Sequence, residues 1–271
     1  MDKDDWFVGL DLDMPSPARV YDYFLGGSHN FDCDRAMARK LEQAMPDIGE
    51  IMRSNRAFLR RAVRFLVDAG IRQFLDLGSG VPTVGNVHEV AQQDTPDAAV
   101  VYVDIDPVAV AHSTSLLAGQ PRAGVVRADL RDTAAVLGHP TTRTLLDLTR
   151  PVAVLMVGVL HQLPGGEALD AIRRYRELLV PGSYLVLSQA SADERPAEAR
   201  DVAATFNRGY GPGTEMTLRP RADVAEFFAG FELVEPGLVH LRQWRPETGS
   251  EVDERPERQS TYAGVGRRVT G

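Results

Sequence analysis

The chain has 271 residues, 44% hydrophobic and 25% charged, which is ordinary for a globular protein and long enough to bury a full core. A formal net charge of -8 argues against broad nonspecific binding to nucleic acid, which needs a basic surface. The single cysteine, Cys33, excludes an intrachain disulfide and a zinc cluster built on cysteines.

The acidic start, Met1 to Asp5, lacks the charged-then-apolar layout of a signal peptide, and residues 1–15 read as a loose lead-in. From Ser16 a helix is expected. Ser16 can cap it, Pro17 suits its first turn, and Val20, Tyr23 and Phe24 recur at helical spacing until Gly26-Gly27 stops it. Asp32 to Ala44 reads as a second helix, ended before Pro46. A third lies within Asp47 to Ala69, with Phe58, Leu59, Ala62, Val63, Leu66 and Ala69 on one face. Arg56, Arg60, Arg61 and Arg64 crowd the other face, and Gly70 ends the helix. Residues 1–70 are therefore expected to form a helical extension.

From Ile71 strand-like and helical runs alternate. Strands are expected at 72–77, 99–104, 123–128, 151–158 and 183–188, and helices at 83–93, 107–118, 131–138 and 165–180. Such alternation implies a mostly parallel sheet with helices on both faces. The longest wholly apolar or glycine run, Val152 to Leu160, is half of the roughly 18 residues that a spanning helix needs, so no membrane partner is expected. After Ser188 the pattern breaks. Helices at 192–208 and 221–229 flank the loop Gly209 to Gly213, which makes 189–230 a helical insert. A strand at 231–234, a solvated loop at 245–260 and a last strand at 262–269 follow. A chain that ends in a strand after a long excursion suggests an antiparallel pair closing a seven-stranded sheet. The protein is expected to be soluble and cytoplasmic.

Three strand runs each end in a carboxylate. Phe74-Leu75-Asp76-Leu77-Gly78-Ser79-Gly80 carries an acid and two glycines, Val100 to Val103 ends in Asp104-Ile105-Asp106, and Gly124 to Ala128 ends in Asp129. Open α/β sheets bind ligands outside the carboxyl ends of their strands, so the set predicts a nucleoside site. The glycines let a backbone approach a ligand closely, and a helix behind them would aim its N-terminus at it. Asp76 would repel a pyrophosphate but can hold an ammonium group. Asp104 can accept both hydroxyls of a ribose. Asp106 competes for that role, although Asp106-Pro107 also reads as a helix cap. Asp129 can accept from an adenine amino group, or can cap a short helix from Leu130. A dinucleotide fingerprint would need glycine where Thr83 stands beside Pro82.

These elements resemble class I S-adenosylmethionine-dependent methyltransferases. The resemblance rests on Asp76-x-Gly78-x-Gly80, Asp104, Asp129, Val157 to Leu163, and Leu178 to Leu187. The flanks resemble a bacterial family of S-adenosyl methyltransferases whose substrates are mostly unassigned. They are Pro17 to Gly27 with Asn30-Phe31, Asn55 to Val63, Gly237 to Val239, Trp244 to Pro246, and Tyr262 to Val265. The family's third glycine position is taken by Pro82. The resemblance implies a Rossmann-like fold and S-adenosyl-L-methionine as cofactor. It implies that Asp76 and the Gly78, Ser79 and Gly80 backbone hold the methionine part, and that Asp104, with Ile105 beside it, holds the ribose. Asp129 and Leu130 would frame the adenine, and Val157 and Gly158 would line the floor near the sulfonium. The segment before Phe74 also resembles leucine carboxyl methyltransferases, in which an arginine ahead of the first strand holds the cofactor's carboxylate; Arg53 or Arg56 is the counterpart. Tyr21 to Phe31 would fold over the site.

His161 follows the fourth strand. It can take a proton from the substrate, or it can pack beneath the site. The expected reaction is an in-line methyl transfer to a small-molecule acceptor with no metal. The 16–69 helices and the 189–230 insert are candidate lids, with hinges at Gly26-Gly27 and Gly209 to Gly213. Two alternatives stay open: an NAD-type oxidoreductase, and a cofactor-binding protein without turnover.

Overall fold

A computed structural model describes residues 13–83, 85–210, 215–247 and 255–269. Most of the expected lead-in, the 211–213 part of the second hinge and the middle of the 245–260 loop lie outside these residues.

Three helices come first, α1 (Pro17–Phe24), α2 (Asp32–Ala44) and α3 (Ile48–Asp68). Ser16 stands at the N-cap position of α1, but its hydroxyl donates to Asp106 Oδ2 and accepts no N–H of its own helix. Met45 turns to extended backbone because a residue before proline is disfavoured in the helical region. The stripe Phe58, Leu59, Ala62, Val63 and Leu66 of α3 is buried. Ala69, expected on the same face, is exposed at the helix end. Gly70 takes φ +91°, and the Ile71 N–H returns to Leu66 O at 2.9 Å, closing the helix with a left-handed cap.

Alternating elements follow: β1 (Gln73–Leu77), α4 (Val87–Asp94), β2 (Ala99–Asp104), α5 (Pro107–Leu116), β3 (Ala123–Arg127), α6 (Thr133–Gly138), α7 (Pro140–Leu145), β4 (Ala153–Val157), α8 (Glu167–Leu178) and β5 (Tyr184–Ala190). The last part holds α9 (Pro196–Gly209), α10 (Arg221–Glu226), β6 (Phe231–Leu233), β7 (Val239–His240) and β8 (Thr261–Arg268). The sheet runs β3-β2-β1-β4-β5-β8-β6. Strands β1 to β5 pair in parallel, and β8 runs antiparallel to β5 and β6. The expected Rossmann-like, mostly parallel sheet with an antiparallel last strand is present. The two-residue β7, too short to show alternation in sequence, adds an eighth strand against β8.

Two helix readings are corrected. The 83–93 helix begins at Val87, because Asn86 and Glu89 form a capping box and the Thr83 N–H donates to Asn86 Oδ1 at 3.0 Å. Its N-terminus therefore does not follow directly on Gly80. The 131–138 helix is confined to α6 and followed by α7, since His139 is held extended ahead of Pro140. Asp132 caps α6, accepting from the Ala135 N–H at 2.9 Å.

Each central strand is apolar on both faces, as a doubly covered parallel sheet requires. Phe74, Val100, Leu155 and Val186 share one core with α1 to α4 and α9. Leu75, Val101, Met156 and Leu187 share the other with α6, α8 and α10. The N-terminal helices thus bury their apolar faces in the same core as the sheet. Trp244, fully buried, packs edge-on against Phe58 and Phe65 at 5.5 and 5.8 Å. Arg61 donates to Trp244 O and Leu241 O at 2.9 and 2.7 Å, so this arginine is a tie between segments and not a solvated charge.

Candidate active site

The chain order reverses between β1 and β4, which opens a crevice at the carboxyl ends of the strands. A cavity of about 520 Å³ fills it. One half is lined by the ends of β1 to β4, the other by α1, α2, α3 and α9. Among the described residues, no His, Cys, Asp and Glu group could hold a metal ion.

Asp76 is buried near the end of β1, with no hydrogen-bond donor to its carboxylate among the described residues. Burial raises its pKa to about 7; Arg56 opposes the rise and Asp104 adds to it. Gly78 and Gly80 take φ +72° and +68°. The N–H groups of Gly78 and Ser79 both donate to Val103 O, at 2.8 and 3.1 Å. The Gly80 N–H donates to Asp104 Oδ2 at 2.7 Å. The loop's N–H groups are therefore bonded to β2, and what it offers the cavity is room and the buried, unpartnered Ser79 Oγ. The two glycines differ in their surroundings. A Cβ at Gly78 would lie 2.4 Å from Val159 Cγ2, whereas one at Gly80 meets nothing within 4 Å. Both alanine variants incur about 1–2 kcal/mol for left-handed backbone, but Gly78→Ala adds a clash. Urea unfolding should show Gly78→Ala to be the less stable of the two; equal stabilities would refute the close approach.

Asp104 is also buried, and its other oxygen accepts the Asp106 N–H at 2.8 Å. Burial raises its pKa to about 6 despite the Asp106 and Gly80 hydrogen bonds. Asp106 caps α5, its Oδ1 accepting from the Val108 and Ala109 N–H groups at 2.7 and 3.1 Å. Ile105 is exposed at the cavity rim. Asp129 does not cap a helix. Its carboxylate is gripped by Arg131, whose Nε lies 3.0 Å from both oxygens, and this holds its pKa below the usual carboxylate range. Leu130 is buried beside it and accepts the Tyr175 hydroxyl on its carbonyl at 2.9 Å.

At the end of β4, Val157 and Gly158 reach the cavity wall. Gly158 starts a relay that crosses the fold. Its N–H donates to Ser188 Oγ at 2.9 Å, Ser188 donates to Asn55 Oδ1 at 2.7 Å, Asn55 donates to Tyr21 Oη at 3.1 Å, and Tyr21 donates to Met52 O at 3.0 Å. Each member is satisfied, so β4, β5, α3 and α1 are locked in one register around the site. A Cβ at 158 would come within 2.9 Å of Asn55 Nδ2.

The structure separates the two candidate arginines. Arg56 lines the cavity with Asp76, its Nε is buried without a partner, and its guanidinium lies 5.7 Å from the Tyr21 ring centroid. Arg53 does not line the cavity and donates to Phe24 O at 3.3 Å, at the end of α1. His161 lines the cavity as well. Burial, with Arg219 nearby, lowers its pKa to about 4, so the imidazole is neutral at neutral pH.

Several contributors carry no signal in sequence. Arg219 is buried and donates to the carbonyls of Leu160, Leu163 and Gly165 at 2.9, 2.6 and 3.1 Å, which fixes the loop that carries His161. Ser188 and Asn55 meet across 133 positions of chain. The α9 residues Val202 and Phe206 line the cavity; their helical spacing marked a helix but not what it faces. Within the N-terminal extension, Arg19 pairs with buried Asp34 at 2.9 Å. Asp22 accepts from the His29 N–H and from Asn30 Nδ2 at 2.9 and 2.8 Å, so these residues shape the 26–31 turn.

Comparison with known proteins agrees with this geometry. The profile of a family described as S-adenosyl methyltransferase matches residues 7–269. A Thermobifida fusca YX protein, provisionally designated a methyltransferase, has a similar crystal structure: 44% identity over 97% of this chain and 98% of that one, TM-score 0.90. A DUF574 family protein of Streptomyces avermitilis MA-4680 shares 39% identity over 95% and 99%, also with TM-score 0.90. An O-methyltransferase family protein of Burkholderia thailandensis shares the fold at 16% identity, covering 98% of this chain and 69% of that one, TM-score 0.54. No curated protein matches the chain. A profile that spans nearly the whole chain, on a methyltransferase fold, shows that the chain belongs to the S-adenosyl methyltransferase family and is an S-adenosylmethionine-dependent methyltransferase.

Proposed function

We propose that the cavity binds S-adenosylmethionine along the strand ends and passes its methyl group to a small-molecule acceptor lodged between α3 and α9. The carrying observation is the pair Arg56 and Asp76. A half-buried cation whose buried Nε has no partner and a buried anion without a donor share one cavity wall. The amino-acid end of the cofactor carries one charge of each sign, so the pair fits it, with Arg56 on the carboxylate and Asp76 on the ammonium group. Asp104 would accept from the ribose, and Ile105, Asp129 and Leu130 would frame the adenine. Val157 and Gly158 would form the floor near the sulfonium.

The bound cofactor supplies a methyl group already activated on sulfur. The chain's part is to hold the acceptor in line and to keep water out. Within the helical extension and the insert, α1, α2, α3 and α9 supply the enclosing walls and act as lids in this reading. A general base works best with a pKa near the working pH. At about 4, His161 stays neutral and lines the site without storing a proton. Catalysis here is mainly alignment.

The test is a melting-temperature comparison. S-adenosylhomocysteine and S-adenosylmethionine should each stabilise the protein, by about 2.7 kcal/mol at a hundredfold excess over Kd, and NAD(H) should not. Stabilisation by NAD(H) alone would overturn the assignment.

A further inference from the structure

The half of the cavity away from the strand ends has a definite shape. Ala199, Val202 and Phe206 lie on one face of α9 and, with Tyr210 at its C-cap, all line it. They span 12 residues, a rise of about 16 Å at helical spacing. Across the cavity, Ile48, Ile51, Asn55 and Leu59 line it from α3 over the same number of residues. The lobe is therefore a slot whose lining runs along about three turns of each of these two helices.

Its chemistry is as distinctive. The charged side chains of the cavity are Arg56, Asp76, Asp104, Asp106, Asp129 and Arg131. Asp104 ends β2, Asp106 follows it, and Asp129 and Arg131 follow β3; Arg56, although it lies within the same stretch of α3, acts on Asp76, so these charges are grouped on the cofactor side. Among the described residues, no charged side chain lines the slot along α9. A carboxylate, phosphate or ammonium group there would be buried without a counter-charge, which is costly. The slot does hold three polar atoms that are buried and unpartnered: Tyr210 Oη, Gln259 Oε1 and Ser260 Oγ. Each of these residues is at most 6% exposed. Tyr210 closes α9, whereas Gln259 and Ser260 precede β8, near the Ser191 N–H that donates to Ser260 O. Buried polar atoms normally find partners, so three orphans on the walls of one slot point to a ligand that supplies them. Gln259 Oε1 can only accept, and therefore calls for an O–H or N–H donor on that ligand.

Building on the methyltransferase reading above, we propose that the methyl acceptor is an elongated, uncharged, largely apolar hydroxy compound lying along α9, with polar groups at its ends that meet Tyr210 and the Gln259-Ser260 pair. The slot rejects acceptors whose far end is ionised.

Calorimetry on the protein saturated with S-adenosylhomocysteine tests this without relying on turnover. The probes are 4-phenylphenol and 4′-hydroxybiphenyl-4-carboxylate, which share length and hydroxyl and differ in charge. 4-Phenylphenol should bind at least tenfold more tightly. Val202→Trp and Ala199→Phe, which fill the slot from α9, should each weaken 4-phenylphenol by at least tenfold and leave S-adenosylhomocysteine within twofold of the parent. Two variants are used so that one failing to fold does not end the test, and retained S-adenosylhomocysteine binding reports folding. The proposal is overturned if the carboxylate binds as well as the neutral phenol, if neither binds, or if the filled variants bind 4-phenylphenol like the parent. Failure of the parent to bind S-adenosylhomocysteine would instead remove the cofactor reading beneath it.

Discussion

Arg56→Ala should weaken S-adenosylhomocysteine binding by roughly ten- to a hundredfold, and Arg53→Ala should leave it within about twofold. Hydrogen bonds to charged groups contribute about 1.5–3 kcal/mol, and an arginine–carboxylate pair can make two at once. The two side chains sit three residues apart on α3, yet only Arg56 lines the cavity. Its buried Nε lacks a partner, whereas Arg53 is engaged with the Phe24 carbonyl. The discriminating control is 5′-methylthioadenosine, which lacks the amino-acid end of the cofactor. Both variants should bind it as the parent does. If Arg56→Ala weakened both ligands alike, the arginine would be holding α3 in place and not the cofactor. If Arg53→Ala had the larger effect, the assignment of the two would be reversed. Lysine at 56 should restore only part of the affinity, because a point charge cannot reproduce the fork of a guanidinium.

The sequence exposes those parts of the site that coincide with the ends of secondary structure. Asp76, Asp104 and Asp129 were visible because each interrupts an apolar run, and the run, the strand and the strand's end are local features. Their partners were not visible. In sequence Asp129 is indistinguishable from a helix cap, whereas in the fold Arg131 turns back onto it. In sequence Asp104 offers only a carboxylate for ribose; in the fold it also pins the Gly80 and Asp106 N–H groups, the first of which only the paired strands bring within reach. The relay from Gly158 through Ser188 and Asn55 to Tyr21 joins four elements, and no spacing rule links positions so far apart. Short elements were lost for a different reason. With two residues in β7 and six in α7, periodicity has nothing to repeat. The acceptor slot was hidden because Val202 and Phe206 look like core residues. They are buried, but part of what they face is a cavity.

The second large effect concerns pH. Burial raises the Asp76 pKa to about 7 and the Asp104 pKa to about 6, so in the free protein both bind protons more tightly than in an unfolded chain. A carboxylate raised in this way stabilises the fold fully below its unfolded pKa and loses that contribution as pH rises through the folded value. The cofactor-free protein should therefore lose stability between about pH 4 and pH 7 from these two groups. Cofactor binding has the opposite slope. An ammonium group at Asp76 and ribose hydroxyls at Asp104 both favour the ionised carboxylates, so bound ligand expels protons. Each group that must ionise costs up to tenfold in affinity per pH unit below its pKa, and S-adenosylhomocysteine should bind roughly ten- to a hundredfold more weakly at pH 5.5 than at pH 7.5. The groups that act on Asp76 are Arg56, which lowers its pKa, and Asp104, which raises it. Asp129 is already held low by Arg131 and adds nothing in this window. His112, lowered mainly by burial and by His29, also titrates at acid pH, so total stability is a mixed signal and ligand affinity is the cleaner one. Asp76→Asn separates the contributions: it should weaken binding at pH 7.5 by removing the ammonium partner, and it should flatten the pH slope, leaving only the shallower Asp104 component centred near 6. A parent affinity that stays constant from pH 5.5 to 7.5 would mean that neither carboxylate ionises on binding. An Asp76→Asn slope as steep as the parent's would place the ionising group elsewhere in the cavity.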